Sequence, residues 1–368
     1  MSDGDGLQAE GMWRYAELLP VRNPDSVVSL GEGGTPLLPA TGPRLSSLAV
    51  GGVHMKAEHR NPTGSFKDRI AAVATALIRQ DGLAGAVGTS SGNGGAAIAA
   101  YGARAGFPVI LFTTSGIVDG KLEQILAHGG RTHVVEHMGT GGSTGGVAPT
   151  IAALAAETGW LPFLTGDIYM PEAMRGAETI AFELSEQVPG LDAIYVPVGG
   201  GGLLGSIYRG YRRLGGRIPR IIGVQPAGCP TFRRAAAGHL DPLPDPVTTT
   251  ISGLQVAVLF DHGGLAAIEA GHGRVVEVTD EQAWEAQRLL AREEGVFVEP
   301  AGATALAGLL SDADDGRIDA DDQVAVILSG AGHKDPVSAR RVAGTNHPVG
   351  VTADSVGDVF ARIRTELA

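Results

Sequence analysis

The stretch Asn61-Pro62-Thr63-Gly64-Ser65-Phe66-Lys67-Asp68-Arg69 decides how the rest of this chain is read. Ser65 and Asp68 form an S-x-x-D capping signal, and an apolar stripe of Ile70, Val73, Ala74, Leu77 and Ile78 follows at helical spacing. The pattern predicts a helix with Lys67 in its first turn. Backbone N–H groups and the positive end of the helix dipole crowd that position, so a neutral amine is favoured there over a cation. A neutral amine is a nucleophile, and Schiff-base lysines are activated by desolvation or by neighbouring positive charge. An isolated lysine in such a turn is ordinarily a surface residue, so the reading rests on what surrounds it.

Outward from that stretch, short apolar runs alternate with longer helical patterns. Val53 to Glu58, Ala84 to Thr89, Pro108 to Thr113, Thr132 to Val135, Ala193 to Val198, Ile221 to Gln225 and Gln323 to Leu328 read as strands. Asn93 to Arg104, Lys121 to His128, Pro171 to Gln187, Leu203 to Arg213, Glu281 to Arg292 and Ala301 to Leu310 read as helices. This alternation predicts an α/β protein with parallel-rich sheets covered by helices. Function is then expected at the carboxyl ends of strands. The 368 residues allow two domains, and 43% hydrophobic content is enough for substantial cores.

Three loops follow predicted strands. Val196-Pro197-Val198-Gly199-Gly200-Gly201-Gly202-Leu203 leads into a helix, and consecutive glycines let backbone N–H groups close on a phosphate at the helix start. Gly200, Gly202 and Gly205 also satisfy G-x-G-x-x-G, so a dinucleotide is an alternative. That fingerprint needs an acidic residue about 20 positions on, whereas the next strand ends in Gln225. Thr89-Ser90-Ser91-Gly92-Asn93 offers hydroxyls and N–H groups suited to a carboxylate, and Asn93 can donate to or accept from a ring substituent. Ser329-Gly330-Ala331-Gly332 follows the last strand. Gly139 to Gly146 reads as a mobile loop, and Pro226 to Ser252 as a long irregular excursion of the kind that forms lids.

A formal charge of -12 without a basic cluster argues against nucleic acid and for small-molecule substrates. One cysteine, Cys229, excludes an internal disulfide and fits a reducing compartment. No apolar run approaches transmembrane length and the polar start is unlike a signal peptide, so a cytoplasmic location off the membrane is expected. Among His128, His133 and His137, the last two bracket a strand-like Val134-Val135-Glu136 and are expected to point apart or into solvent, so no metal is expected. The G-x-x-x-x-G-K-[ST] phosphate-loop motif is absent from the sequence.

The Lys67 stretch closely resembles the pyridoxal-phosphate lysine motif of threonine synthases. The resemblance continues in order through Ser90-Ser91-Gly92-Asn93, Gly120-Lys121-Leu122, Glu294-Gly295-Val296-Phe297-Val298-Glu299-Pro300 and Lys334-Asp335-Pro336. It implies a two-domain, fold type II pyridoxal-phosphate enzyme, with a large domain of residues 1–84 and 178–368 and a small substrate-capping domain of residues 85–177. By the same resemblance Lys67 is the Schiff-base lysine and proton carrier, Phe66 packs near the ring, and Asn93 bonds its 3-hydroxyl. Gly199, Gly200, Gly201, Gly202 and Leu203 hold the 5′-phosphate, and Ser329 faces the pyridine nitrogen. Ser90, Ser91, Gly92 and Lys121 are implied substrate contacts, as is Arg175, which lies two residues out of register with the threonine synthase arginine. A homodimer is a further family expectation. The implied activity is elimination of phosphate from O-phosphohomoserine and hydration to threonine. The all-glycine phosphate loop instead resembles serine and threonine dehydratases, which points to β-elimination or β-replacement on another hydroxy- or acyloxy-amino acid. A nicotinamide-dependent oxidoreductase and a non-catalytic binding protein complete the alternatives.

Overall fold

The computed structural model describes residues 10–48, 51–90, 92–136, 144–344 and 348–366. Among them, ten strands form two sheets. The larger runs in the order β1 (Leu37–Pro39), β2 (Gly52–Lys56), β10 (Gln323–Ile327), β7 (Ala193–Pro197), β8 (Arg220–Pro226) and β9 (Gly273–Val278). Only β1 is antiparallel, pairing Leu37 with Lys56 of β2. The smaller sheet is wholly parallel, in the order β5 (Arg131–Val134), β4 (Val109–Thr113), β3 (Ala86–Thr89) and β6 (Leu161–Phe163). The chain therefore leaves the large sheet after β2, completes the small one, and returns at β7.

Central strands are buried on both faces, as parallel sheets require. Ile194 and Val196 of β7, with Ala325 and Ile327 of β10, join one core, while Ala193, Tyr195, Val324 and Val326 join the core on the opposite face. That division is the two-residue period of a strand. Helices α1 (Lys67–Asp81), α2 (Asn93–Ala105), α3 (Pro171–Gln187), α4 (Gly202–Leu214) and α5 (Pro300–Asp314) supply the cover. Ile70, Val73, Ala74 and Ile78 of α1 are buried in the first core with Met174, Ala177 and Ile180 of α3. Leu77 packs against that core from a half-buried position.

The strands not expected from the sequence are β1, β6 and β9, and all three lie at sheet edges. An edge strand tolerates the prolines Pro39 and Pro162, whose missing N–H breaks the usual strand pattern. The S-x-x-D signal marks the start of α1 without forming a capping box. Phe66 occupies the N-cap, Ser65 Oγ has no partner, and Asp68 instead accepts from the Thr63 N–H at 2.9 Å. Most of the expected Gly139–Gly146 loop lies outside the described residues, and helix Thr144–Thr158 takes up its end. Between Pro226 and Ser252 the chain is irregular apart from helix Thr231–Ala236. Among the described residues, no helix is long and apolar enough to cross a membrane.

Candidate active site

A cavity of about 220 Å³ opens where the carboxyl ends of six strands meet. Phe66 and Lys67 reach it from beyond β2, Thr89, Ser90 and Gly92 to Gly94 from β3, Thr114 from β4, Thr165 from β6, Gly199 to Leu203 from β7, and Ser329 from β10. Gly253 to Val258, Glu299 and Ala301 close the remaining side. The segment after the Pro226–Ser252 excursion is thus a wall of the site.

Lys67 is the first residue of α1, within the first helical turn where the sequence placed it. Its Nζ donates to Thr165 Oγ1 at 3.0 Å and lies 4.5 Å from the centre of the Phe66 ring. Burial pushes the amine down from its ordinary 10.5 to about 8, and the negative charge of Asp261 partly opposes the shift. Desolvation, more than the helix dipole, favours the neutral nucleophile. Two residues on, Arg69 is fully buried between Glu58 at 2.7 Å and Glu183 at 2.6 Å, and Lys56 meets the same Glu183 at 2.5 Å. This paired interior charge pins the start of α1 to β2 and α3.

Opposite the lysine, Gly199 to Gly202 turn from β7 into α4. Gly201 has φ +95°, and a Cβ there would lie 2.7 Å from the Asp261 carbonyl oxygen. A Cβ on Gly199 would meet Val256 at 2.9 Å. Among the described residues, the N–H groups of Gly199 to Gly202 have no protein acceptor, so they remain available to an anion at the helix start. Gln225, where a dinucleotide site would need a carboxylate, accepts from the Arg233 N–H instead. That removes the ribose contact from the dinucleotide alternative.

On the third side, Ser90 Oγ accepts from the N–H groups of Gly92 at 3.1 Å and Gly95 at 2.6 Å, which shapes the start of α2. Gly92 has φ +150°, and a Cβ on it would fall 2.2 Å from Lys121 Cδ. Asn93 Nδ2 donates to Glu299 Oε1 at 2.6 Å, while its Oδ1 is buried without a partner. Lys121 is buried beneath this wall, 2.8 Å from Glu299 Oε2, and donates to Ser252 Oγ at 3.1 Å. Ser329 is buried, and its carbonyl accepts from the Phe66 N–H at 3.2 Å. Ser91 lies outside the described residues.

Arg175, expected among the substrate contacts, lies elsewhere in the structure. It is not among the cavity residues, because its guanidinium donates to the Leu18 carbonyl and pairs with Glu172 at 3.6 Å. Its place two residues out of register turns it to another face of α3. Glu299, Thr165 and the wall from Gly253 to Val258 were given no role from sequence, although Glu299 stands inside the quoted Glu294–Pro300 run. Cys229 is buried, with Sγ 3.7 Å from Thr231 Oγ1. Among the described residues, no group of three or more potential metal ligands gathers.

A desolvated amine, a glycine turn with free N–H groups, and the orphaned buried oxygen of Asn93 together fit a phosphorylated aromatic aldehyde. They fit the class of α/β enzymes that use such a cofactor. The chain belongs to the pyridoxal-phosphate-dependent enzyme family, whose model matches residues 28–330, and its cofactor is pyridoxal 5′-phosphate. It is threonine synthase-like. The threonine synthase of Methanocaldococcus jannaschii is 35% identical over 97% of this chain and 88% of that protein. The threonine synthase of Bacillus sp. (strain ULM1) is 33% identical over 88% of this chain and 89% of that protein. Among solved structures, a T.th. threonine deaminase superposes with a TM-score of 0.67 at 27% identity, covering 81% of this chain and 92% of that one. The fold is that of type II pyridoxal-phosphate enzymes.

Proposed function

We propose that this protein is a carbon–oxygen lyase acting on a small amino acid, with Lys67 as its catalytic residue. The observation that carries the reading is a partly desolvated lysine facing a glycine turn whose N–H groups are free. When bound, pyridoxal 5′-phosphate supplies an electron-withdrawing ring that stabilises negative charge at the substrate's α-carbon. Lys67 anchors the cofactor aldehyde and then carries protons to and from the substrate carbons. Gly199 to Leu203 hold the phosphate, Asn93 the 3-hydroxyl, and Ser329 the ring nitrogen. Ser90, Ser91 and Gly92 offer hydroxyls and N–H groups to the substrate carboxylate. Borohydride reduction followed by peptide mapping tests the anchor, and a label on any other residue rejects it.

The threonine synthases among the relatives support elimination of phosphate from O-phosphohomoserine and addition of water at the β-carbon, giving threonine. A second reading, β-elimination or β-replacement on a hydroxy- or acyloxy-amino acid, is favoured by the charge of the cavity. Lys67 is the one cationic side chain among the described lining residues, and the residues outside the description include no lysine or arginine. Lys121 is already paired with Glu299. A phosphorylated substrate side chain therefore finds little positive charge. Incubation with O-phosphohomoserine, serine and threonine in parallel separates the readings. Threonine with inorganic phosphate supports the first, and a keto acid from serine or threonine supports the second.

We further assign residues 85–177 to a small domain that closes over substrate and excludes water. Scattering profiles that coincide with and without substrate would contradict this. A homodimer and a cytoplasmic location are the family's expectations, and sedimentation and cell fractionation test them.

A further inference from the structure

Beside the glycine turn sits a carboxylate that the proposed chemistry does not use. Asp261 is fully buried, and its Oδ1 is so close to α4 that a Cβ on Gly205 would lie 2.2 Å from it. Gly205 is one helical turn beyond Gly201. Its backbone is part of the same wall, since the N–H groups of Phe260 and Asp261 both donate to the Gly200 carbonyl, at 2.9 and 3.1 Å. A buried anion at this place opposes what the free N–H groups and helix start favour, which is a second anion in the turn. Arg209 neutralises it with a two-pronged contact, Nη1 to Oδ1 at 2.7 Å and Nη2 to Oδ2 at 2.8 Å. The N–H groups of Gly263 and Asp167 complete the carboxylate's shell at 2.8 and 3.2 Å. Arg209 also lies within 3.5 Å of Asp167 and 3.6 Å of Glu178. Three acidic residues thus surround one guanidinium.

We propose that Arg209 and Asp261 are a positioning pair for the cofactor's phosphate. Asp261 ties the wall segment and the loop after β6 to the turn, and Arg209 cancels the charge that would otherwise repel a dianion. The inference rests on the reading of Gly199 to Leu203 as the phosphate cradle. It goes beyond that reading because neither residue touches the cavity, and the paired charge acts through the glycine backbone.

The test compares pyridoxal 5′-phosphate with pyridoxal, which lacks the phosphate, by titrating cofactor-free protein and following absorbance of the lysine-bound chromophore. Arg209→Gln leaves Asp261 unpaired, and is expected to weaken binding of the phosphorylated form by about tenfold or more while changing pyridoxal binding much less. In the double variant R209Q/D261N the stranded charge is gone, so affinity for the phosphorylated form is expected within about threefold of the parent. Arg209→Lys keeps the charge and is expected to preserve the ratio of the two affinities. Equal weakening of both ligands in R209Q, or no recovery in the double variant, overturns the proposal in favour of a merely structural pair. If R209Q does not fold, the double variant and R209K carry the decision by the same ratio. Failure of the unaltered protein to take up pyridoxal 5′-phosphate would instead reject the cofactor reading itself.

Discussion

Asn93 Nδ2 donates to Glu299 Oε1 at 2.6 Å, joining the first residue of α2 to the residue just ahead of α5 across 206 positions of chain. The other oxygen of Glu299 faces Lys121 Nζ at 2.8 Å, so one buried carboxylate sets the orientation of the asparagine and compensates a buried cation.

Glu299→Gln keeps the shape of this junction but leaves Lys121 unpaired. Breaking a buried pair from one side costs about 3–5 kcal/mol, so a large fall in thermal midpoint is expected. The double change E299Q/K121M should recover most of it. An unaltered melting curve for E299Q would show that water compensates Lys121.

Lys67 should report its burial in its pH dependence. In cofactor-free protein the amine is held near 8 against an ordinary 10.5. Between those values the unfolded chain binds more protons at this residue than the folded one, so its contribution to stability rises with pH across that window. Below about 8 both states are protonated and the folded state bears the full cost of an enclosed cation. Reductive methylation of Lys67 should accelerate through a midpoint near pH 8. A midpoint at the ordinary 10.5 would place the amine in bulk water.

Gly201→Ala tests the turn. The φ of +95° and the Asp261 carbonyl at 2.7 Å from an added Cβ both oppose a side chain, and a loss of about 1–3 kcal/mol with weaker cofactor retention is expected. Gly238→Ala is the control, because its φ is +90° with open space around it. Equal effects in urea unfolding would mean that backbone conformation alone matters at Gly201.

Arg69→Met strands Glu58 in the interior and leaves Glu183 with Lys56 as its remaining cation, and should lower stability by about 3–5 kcal/mol or prevent folding. Arg69→Lys should also be poorly tolerated, since one ammonium cannot reproduce a fork shared by two carboxylates. Soluble yield and the unfolding midpoint measure both, and a wild-type midpoint for R69M would show that the pairing contributes nothing net.

Much of the architecture was legible because it is written in local pattern. Helix Pro171–Gln187 and the central strands β7 and β10 follow from apolar period and burial on two faces. The edge strands β1 and β6 were not legible, because three residues containing a proline show no period. Lys67, Asn93, the glycines and Ser329 were readable at strand ends, while Arg175 was placed by analogy and the fold turns it toward Leu18.

The order of residues along the chain was enough to determine the α/β class, a first helical turn containing Lys67 and the glycine turn at Gly199, since helix periodicity, strand alternation and backbone freedom act over a few residues. Tertiary structure alone decided that Thr165 meets Lys67 across 98 positions, that Glu299 faces Asn93, and that Arg209 covers Asp261. Those choices depend on desolvation and on charges brought together from distant segments, and neither exists until the sheets have packed.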